Sequence, residues 1–169
     1  MVVSVNPDDN AAIFAANLAV VFSQLGEQTL LVDANLRTPH QQEVFGLKGR
    51  QGLSDVLAGR ADLDAIARID SFVALSVMSA GTLPPNPQEL LSRTSFNVLN
   101  EQIGSRYDVV LYDVAPFASG SDALAIASRV AGVLLVARNN HTGLAELAAF
   151  AEQLERNGVE IVGSVLQEF

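Results

Sequence analysis

Six short apolar runs do most to limit what this chain can fold into: VVSV (2–5), TLLVDA (29–34), VALSVMSA (73–80), DVVLYDV (108–114), GVLLVA (132–137) and EIVGSVL (160–166). Most lack the alternation that marks a strand with one wet face. Unbroken runs of this length suit strands covered on both sides. Helix-length stretches lie between them. Residues 10–25 are apolar almost all round, which predicts a deeply buried helix. Residues 88–105 and 143–157 have amphipathic spacing, and each is expected to be a helix. Gly26 and Gly158 follow two of these stretches, where a left-handed residue ends a helix well. Alternating strand and helix predicts an α/β fold, with a mostly parallel sheet and helices on both faces. Residues 38–72 are less regular and hold two short helical pieces, GLSDVLAG and DLDAIARI. They read as an insertion between the second and third strands. With 49% hydrophobic residues and no linker or repeat, residues 1–169 are expected to form one domain.

Charge narrows the partners. The formal net charge is −9, which disfavours nucleic acid and anionic lipid as direct partners. ATP is also an anion, so a nucleotide site here needs a local positive patch. The absence of Cys excludes disulfides, a Cys-based zinc site and a thiol nucleophile. MVVSVNPDDN has no basic stretch of the kind that opens a signal peptide. No run of about 18 apolar residues occurs, so no membrane insertion is expected.

In open parallel sheets, ligands bind beyond the C-terminal strand ends. After VVSV comes NPDDNAA. A phosphate loop has the pattern GxxxxGK[ST]: glycines let backbone N–H groups close on phosphate, Lys neutralises it, and Ser/Thr holds Mg²⁺. In that frame Val5 and Asn10 stand for the two glycines, Ala11 for Lys and Ala12 for Ser/Thr. Asp8 and Asp9 place negative charge where phosphate would go. The plain alternative is an ordinary helix start, with Asp8, Asp9 or Asn10 capping the first N–H groups.

LLVDANLR brings Asp33, Asn35 and Arg37 to the second strand end, and VVLYDVAPF brings Asp113 to another. Either Asp can cap a turn, and Asp113 also suits Mg²⁺ held through water in a nucleotide site. His40 and His141 are isolated. Tyr107 and Tyr112 are the only tyrosines, and Tyr112 reads as core. Lys48 is the only lysine and lies far along the chain from the loop. In LPPNPQELL, Pro84, Pro85 and Pro87 set a rigid approach and Asn86 can start the following helix. With Glu89, these residues form a candidate partner surface or simply a well-made helix start.

The set, in this order, resembles the cytoplasmic ATPase-fold domain of bacterial tyrosine kinases that accompany polysaccharide chain-length regulators. The likeness runs through AANLAVVFSQLGEQTLLVDANLRTP, FGLKGRQGLSDVLAGR, SAGTLPPNPQELLSR, DVVLYDVAPFASGSDALAIAS and VEIVGSVLQEF. It implies a three-layer fold of the P-loop NTPase type, related to the partitioning and division-site ATPases ParA and MinD. In active members the first loop wraps ATP phosphates, the second motif supplies two Asp and the third supplies one. Carried over, the first motif falls on Val5 to Ala12 and is lost. The second keeps its first Asp as Asp33, has Asn35 for its second, and keeps Arg37. The third keeps Asp113. The family's ring-forming segment before the first strand and its Tyr-rich tail are not among these residues.

The resemblance thus implies a pseudokinase in exopolysaccharide chain-length control or export, with no cofactor. Its expected partner is a membrane chain-length regulator or other polysaccharide export protein. A homo-oligomer is compatible with this, and the place is cytoplasmic, at the inner membrane face through the partner. One alternative is an active tyrosine autokinase with an unorthodox loop, served by Lys48 or another chain's lysine. Only then are ATP or ADP and Mg²⁺ expected, the metal at Asp33 and Asp113. The other alternative is a partner-binding domain of the ParA/MinD kind.

Overall fold

The computed structural model describes Met1–Glu168; Phe169, the last residue of VEIVGSVLQEF, lies outside the described residues. Seven strands form one sheet: β1 (Val2–Ser4), β2 (Thr29–Ala34), β3 (Ile66–Arg68), β4 (Leu75–Met78), β5 (Val109–Val114), β6 (Val133–Arg138) and β7 (Ile161–Gln167). Their order across the sheet is β3-β4-β2-β5-β1-β6-β7. Every pairing is parallel except β3 with β4. The predicted α/β sheet, mostly parallel with helices on both faces, is what forms.

The helices are α1 (Ala11–Gln24), α2 (Gln41–Val44), α3 (Leu53–Leu57), α4 (Pro87–Leu91), α5 (Thr94–Gly104), α6 (Asp122–Ala127) and α7 (Leu144–Arg156). The sheet divides the core in two. Val2, Leu31, Leu75, Val77 and Val136 pack with the alanines of α1 on one face. Val3, Leu30, Val32 and Val114 pack with residues from α3 to α7 on the other. Neighbouring residues of one strand therefore go to opposite cores, so both must be apolar. Gly26 (φ 95°) and Gly158 (φ 71°) end α1 and α7 as expected. The N–H groups of Glu27 and Val159 reach back five residues to the carbonyls of Phe22 and Leu154.

Three expectations need correction. DLDAIARI is not helical: one 3-10 turn at Leu63–Ala65 leads into the antiparallel edge strand β3. The helix predicted over 88–105 is two, broken at Ser92 and Arg93. The third concerns α1, which is not deeply buried. Only Ala11, Ala15, Ala16, Ala19 and Ser23 are buried, while Ile13 and Val21 are 49% and 51% exposed. Small residues at this spacing let the helix lie close on the sheet, which leaves the larger side chains at its flanks. Tyr112 is core, with its ring 5.5 Å from that of Phe96.

Candidate functional site

The C-terminal ends of β1, β2 and β5 open on one edge of the sheet, beside the start of α1. A pocket of about 450 Å³ lies there, lined among others by Asn10, Ala11, Ala12, Asn35, His40 and Asp113. No lysine or arginine lines it. Lys48 is exposed, in the loop after α2, and is not part of the wall.

The first loop carries one 3-10 turn, Pro7–Asp9. Asp9 is fully buried. Its carboxyl accepts the Asn6 N–H at 2.9 Å and the Thr142 hydroxyl at 2.7 Å. The Asp9 carbonyl accepts Gln167 Nε2 at 3.0 Å, and the Asp8 carbonyl accepts Arg138 Nη1 at 3.1 Å. The Val5 carbonyl accepts the Ala118 N–H at 2.9 Å. The loop therefore does fold onto its own carboxyl, but not as a cap of α1. Asn10 holds the N-cap position in the left-handed region (φ 55°), and no side chain caps that helix. Asp8 is exposed. Thr142→Val deletes a bond to a buried carboxyl and is expected to cost about 2 kcal/mol. A urea midpoint equal to the wild type's would show that Asp9 does not depend on Thr142.

Asp33 and Asp113 are register partners on the adjacent parallel strands β2 and β5, so both side chains leave the same face. Asp33 is fully buried and bonded to main chain. It accepts the N–H groups of Asn35 (3.2 Å), His40 (3.0 Å) and Gln41 (2.9 Å). Burial raises its carboxyl to about 6 against the pull of these three donors. Asp113 is 1% exposed. Burial first, then the nearby Asp33, raise it to about 7, while a hydrogen bond from Gln41 lowers it.

Asn35 builds the turn that follows: its Oδ1 accepts the N–H groups of Arg37 (3.3 Å) and Thr38 (3.0 Å), and its Nδ2 donates to Thr38 Oγ1. Arg37 points away from the carboxylate pair. It forms a two-pronged ion pair with buried Asp122 at the start of α6, at 2.6 and 3.0 Å.

Sequence reading did not single out Gln41, yet it is fully buried at the centre of this arrangement. Its Nε2 donates to Asp113 Oδ2 at 2.7 Å and to the Ala12 carbonyl at 3.0 Å. Its Oε1 is a buried side-chain oxygen with no partner. Nothing in QQEV marks it; only the three-bond anchor of Asp33 carries it inward. Among the described residues, no group of three or more His, Asp or Glu is placed to hold a metal ion.

The Pro-rich candidate lies elsewhere, after β4. Pro85, Asn86 and Glu89 are exposed, Pro84 is half-buried and Pro87 is buried. Asn86 does precede α4, but its side chain makes no cap bond. Leu83 beside it is 51% exposed.

No family model matches the chain. It is 32% identical over 166 residues to the tyrosine-protein kinase wzc of Salmonella typhimurium, covering 98% of this chain and 23% of that protein. It is also 32% identical over 166 residues to the tyrosine-protein kinase YwqD of Bacillus subtilis, covering 98% of this chain and 70% of that one. The chain thus spans about a quarter of the longer relative. The kinase domain of the Escherichia coli tyrosine kinase ETK superposes with a TM-score of 0.94 at 33% identity, over 99% of this chain and 66% of that one. The fold alone extends to the septum site-determining protein MinD of Pyrococcus horikoshii, with a TM-score of 0.83 at 23% identity, over 98% of this chain and 68% of that one. No helix among the described residues is long and apolar enough to cross a membrane.

Proposed function

This chain belongs to the bacterial tyrosine-protein kinase family, and we propose that within it the chain is a regulatory domain without kinase activity. The observation that carries this reading is the phosphate end of the pocket. Ala11 and Ala12 open α1 where the phosphate-loop pattern has Lys and Ser/Thr, and no lysine or arginine lines the wall. Asp9 is built into the loop by two hydrogen bonds. These residues do not fit a magnesium nucleotide. Asp33 is committed to three backbone N–H groups, and Asp113 and the Ala12 carbonyl already share one donor.

Phosphoryl transfer depends on positioned charge. Losing one such contact commonly costs about 10²–10³-fold in rate. Several are missing here together, and no group in the pocket replaces them. As one domain of residues 1–169, the chain then acts through contacts. We place it in exopolysaccharide chain-length control or export, at the inner membrane face. Its partner is a membrane chain-length regulator or another export protein, and self-association is compatible with that role. The exposed Leu83, Pro85, Asn86 and Glu89 support the Pro-rich corner as the partner surface.

Calorimetry tests the reading. ATP and ADP, with or without Mg²⁺, are expected to bind more weakly than about 1 mM. Low-micromolar, Mg²⁺-dependent binding that is lost in Asp113→Ala would overturn it and restore the strand-end carboxylate to a nucleotide site.

A further inference from the structure

We infer that Gln41 is a built-in substitute for a divalent cation, its side-chain amide joining the Asp113 carboxylate to the Ala12 carbonyl and closing the strand-end site to metal. The inference rests on the reading above and deepens it by naming the group that shuts the site.

The geometry is specific. Asp113 ends a central strand, and Ala12 sits in the first turn of α1, where the loop pattern places the metal-binding hydroxyl. A cation there would draw oxygen ligands from both elements. The Gln41 Nε2 bonds both instead, at 2.7 and 3.0 Å. An amide nitrogen has two N–H donors and no acceptor, so both its hydrogens are used by these two oxygens. It supplies partial positive charge where an ion would supply a full one.

Gln41 is held in that position. Its own N–H donates to Asp33 Oδ2, and the neighbouring His40 N–H donates to the same oxygen at 3.0 Å. The cost appears at the other end of the amide, where Oε1 is buried without a partner. A side chain that merely filled space would avoid that penalty. Magnesium requires six oxygens in near-octahedral order. The two nearest oxygens are already occupied, and Ala12 offers no hydroxyl.

The test uses Mn²⁺ as probe, with unbound ion read by its paramagnetic resonance signal. Four proteins are titrated: wild type, Gln41→Ala, Gln41→Glu, and Gln41→Ala combined with Asp113→Asn. Wild type is expected to bind more weakly than about 1 mM, and Gln41→Ala at least about tenfold more tightly. Gln41→Glu keeps the shape, adds a carboxylate, and is expected to gain at least as much. It decides the test if the alanine variant does not fold. The gain is expected to vanish in the double variant. Mn²⁺ binding by wild type as tight as by Gln41→Ala would overturn the inference, and so would two single variants as weak as wild type. ADP added to wild type separates the two readings. Mn²⁺ uptake there beyond what ADP alone removes refutes the regulatory reading itself, whereas silent single variants beside a silent wild type refute only the role of Gln41.

Discussion

Asp113→Asn is expected to stabilise the protein at pH 8 by on the order of 3 kcal/mol. The reason lies in where the carboxyl sits. Burial and Asp33 raise Asp113 from 3.8 to about 7. An acid with a raised folded-state pKa favours folding while it is protonated. That contribution is fully present below the unfolded value near 4 and is lost as pH rises through the folded value. Asp33, raised to about 6, acts in the same direction. Wild-type stability from this pair therefore declines between pH 4 and 8. The asparagine variant carries no charge at 113, and its amide oxygen can still accept from Gln41. Its advantage should be largest at pH 8 and nearly absent at pH 4. Urea unfolding at both pH values checks this; an advantage that is equal at both, or absent at pH 8, would contradict it. The same exchange at Asp33 is expected to fail, because both carboxyl oxygens there accept backbone N–H groups.

Asp55→Ala is expected to destabilise the protein by about 3–5 kcal/mol. Asp55 is 4% exposed, in α3. It accepts the N–H of Gly52 (3.2 Å), the N–H of Thr82 (3.0 Å) and two donors of Arg60 (3.2 and 3.0 Å). Desolvation by burial is the largest single influence on its carboxyl, yet these donors together hold it below the usual carboxylate range. Alanine would leave two backbone donors without their acceptor at the seam between α3 and the end of β4. Arg60 is half exposed, returns to water and adds little. The packing leaves no slack: a Cβ at Gly81, whose φ is 78°, would lie 2.4 Å from Asp55 Oδ2. Gly81→Ala is therefore expected to unfold the same seam. Thermal melts of the two variants test this, and near wild-type midpoints would show that the seam is not a weight-bearing contact.

The fold was largely legible in the chain because it rests on short-range rules. TLLVDA became β2 residue for residue, since its Leu-Leu-Val run packs against a core on each face, with the polar Thr29 and Asp33 towards its two ends. The edge strand β3 escapes sequence reading because two half-buried residues and an exposed Arg68 carry no such signal. The apolar character of α1 was legible, but its burial was not. The apolar residues run round the whole helix, whereas the sheet selects the alanine side.

The site divides in the same way. Which residues stand at the strand ends follows from order along the chain alone, and so does the expected alignment of Val5, Asn10, Ala11 and Ala12 with a phosphate loop. The bonds those residues make do not. Asp9 meets Thr142 across 133 residues, Arg37 meets Asp122 across 85 and Gln41 meets Asp113 across 72. Sequence determined the alternating elements, and hence a parallel sheet with its loops gathered at one edge, because periodicity is a property of neighbours. Only the tertiary structure decided that Gln41 is buried between β5 and α1, because a polar side chain gains its role from the partners that remove it from water.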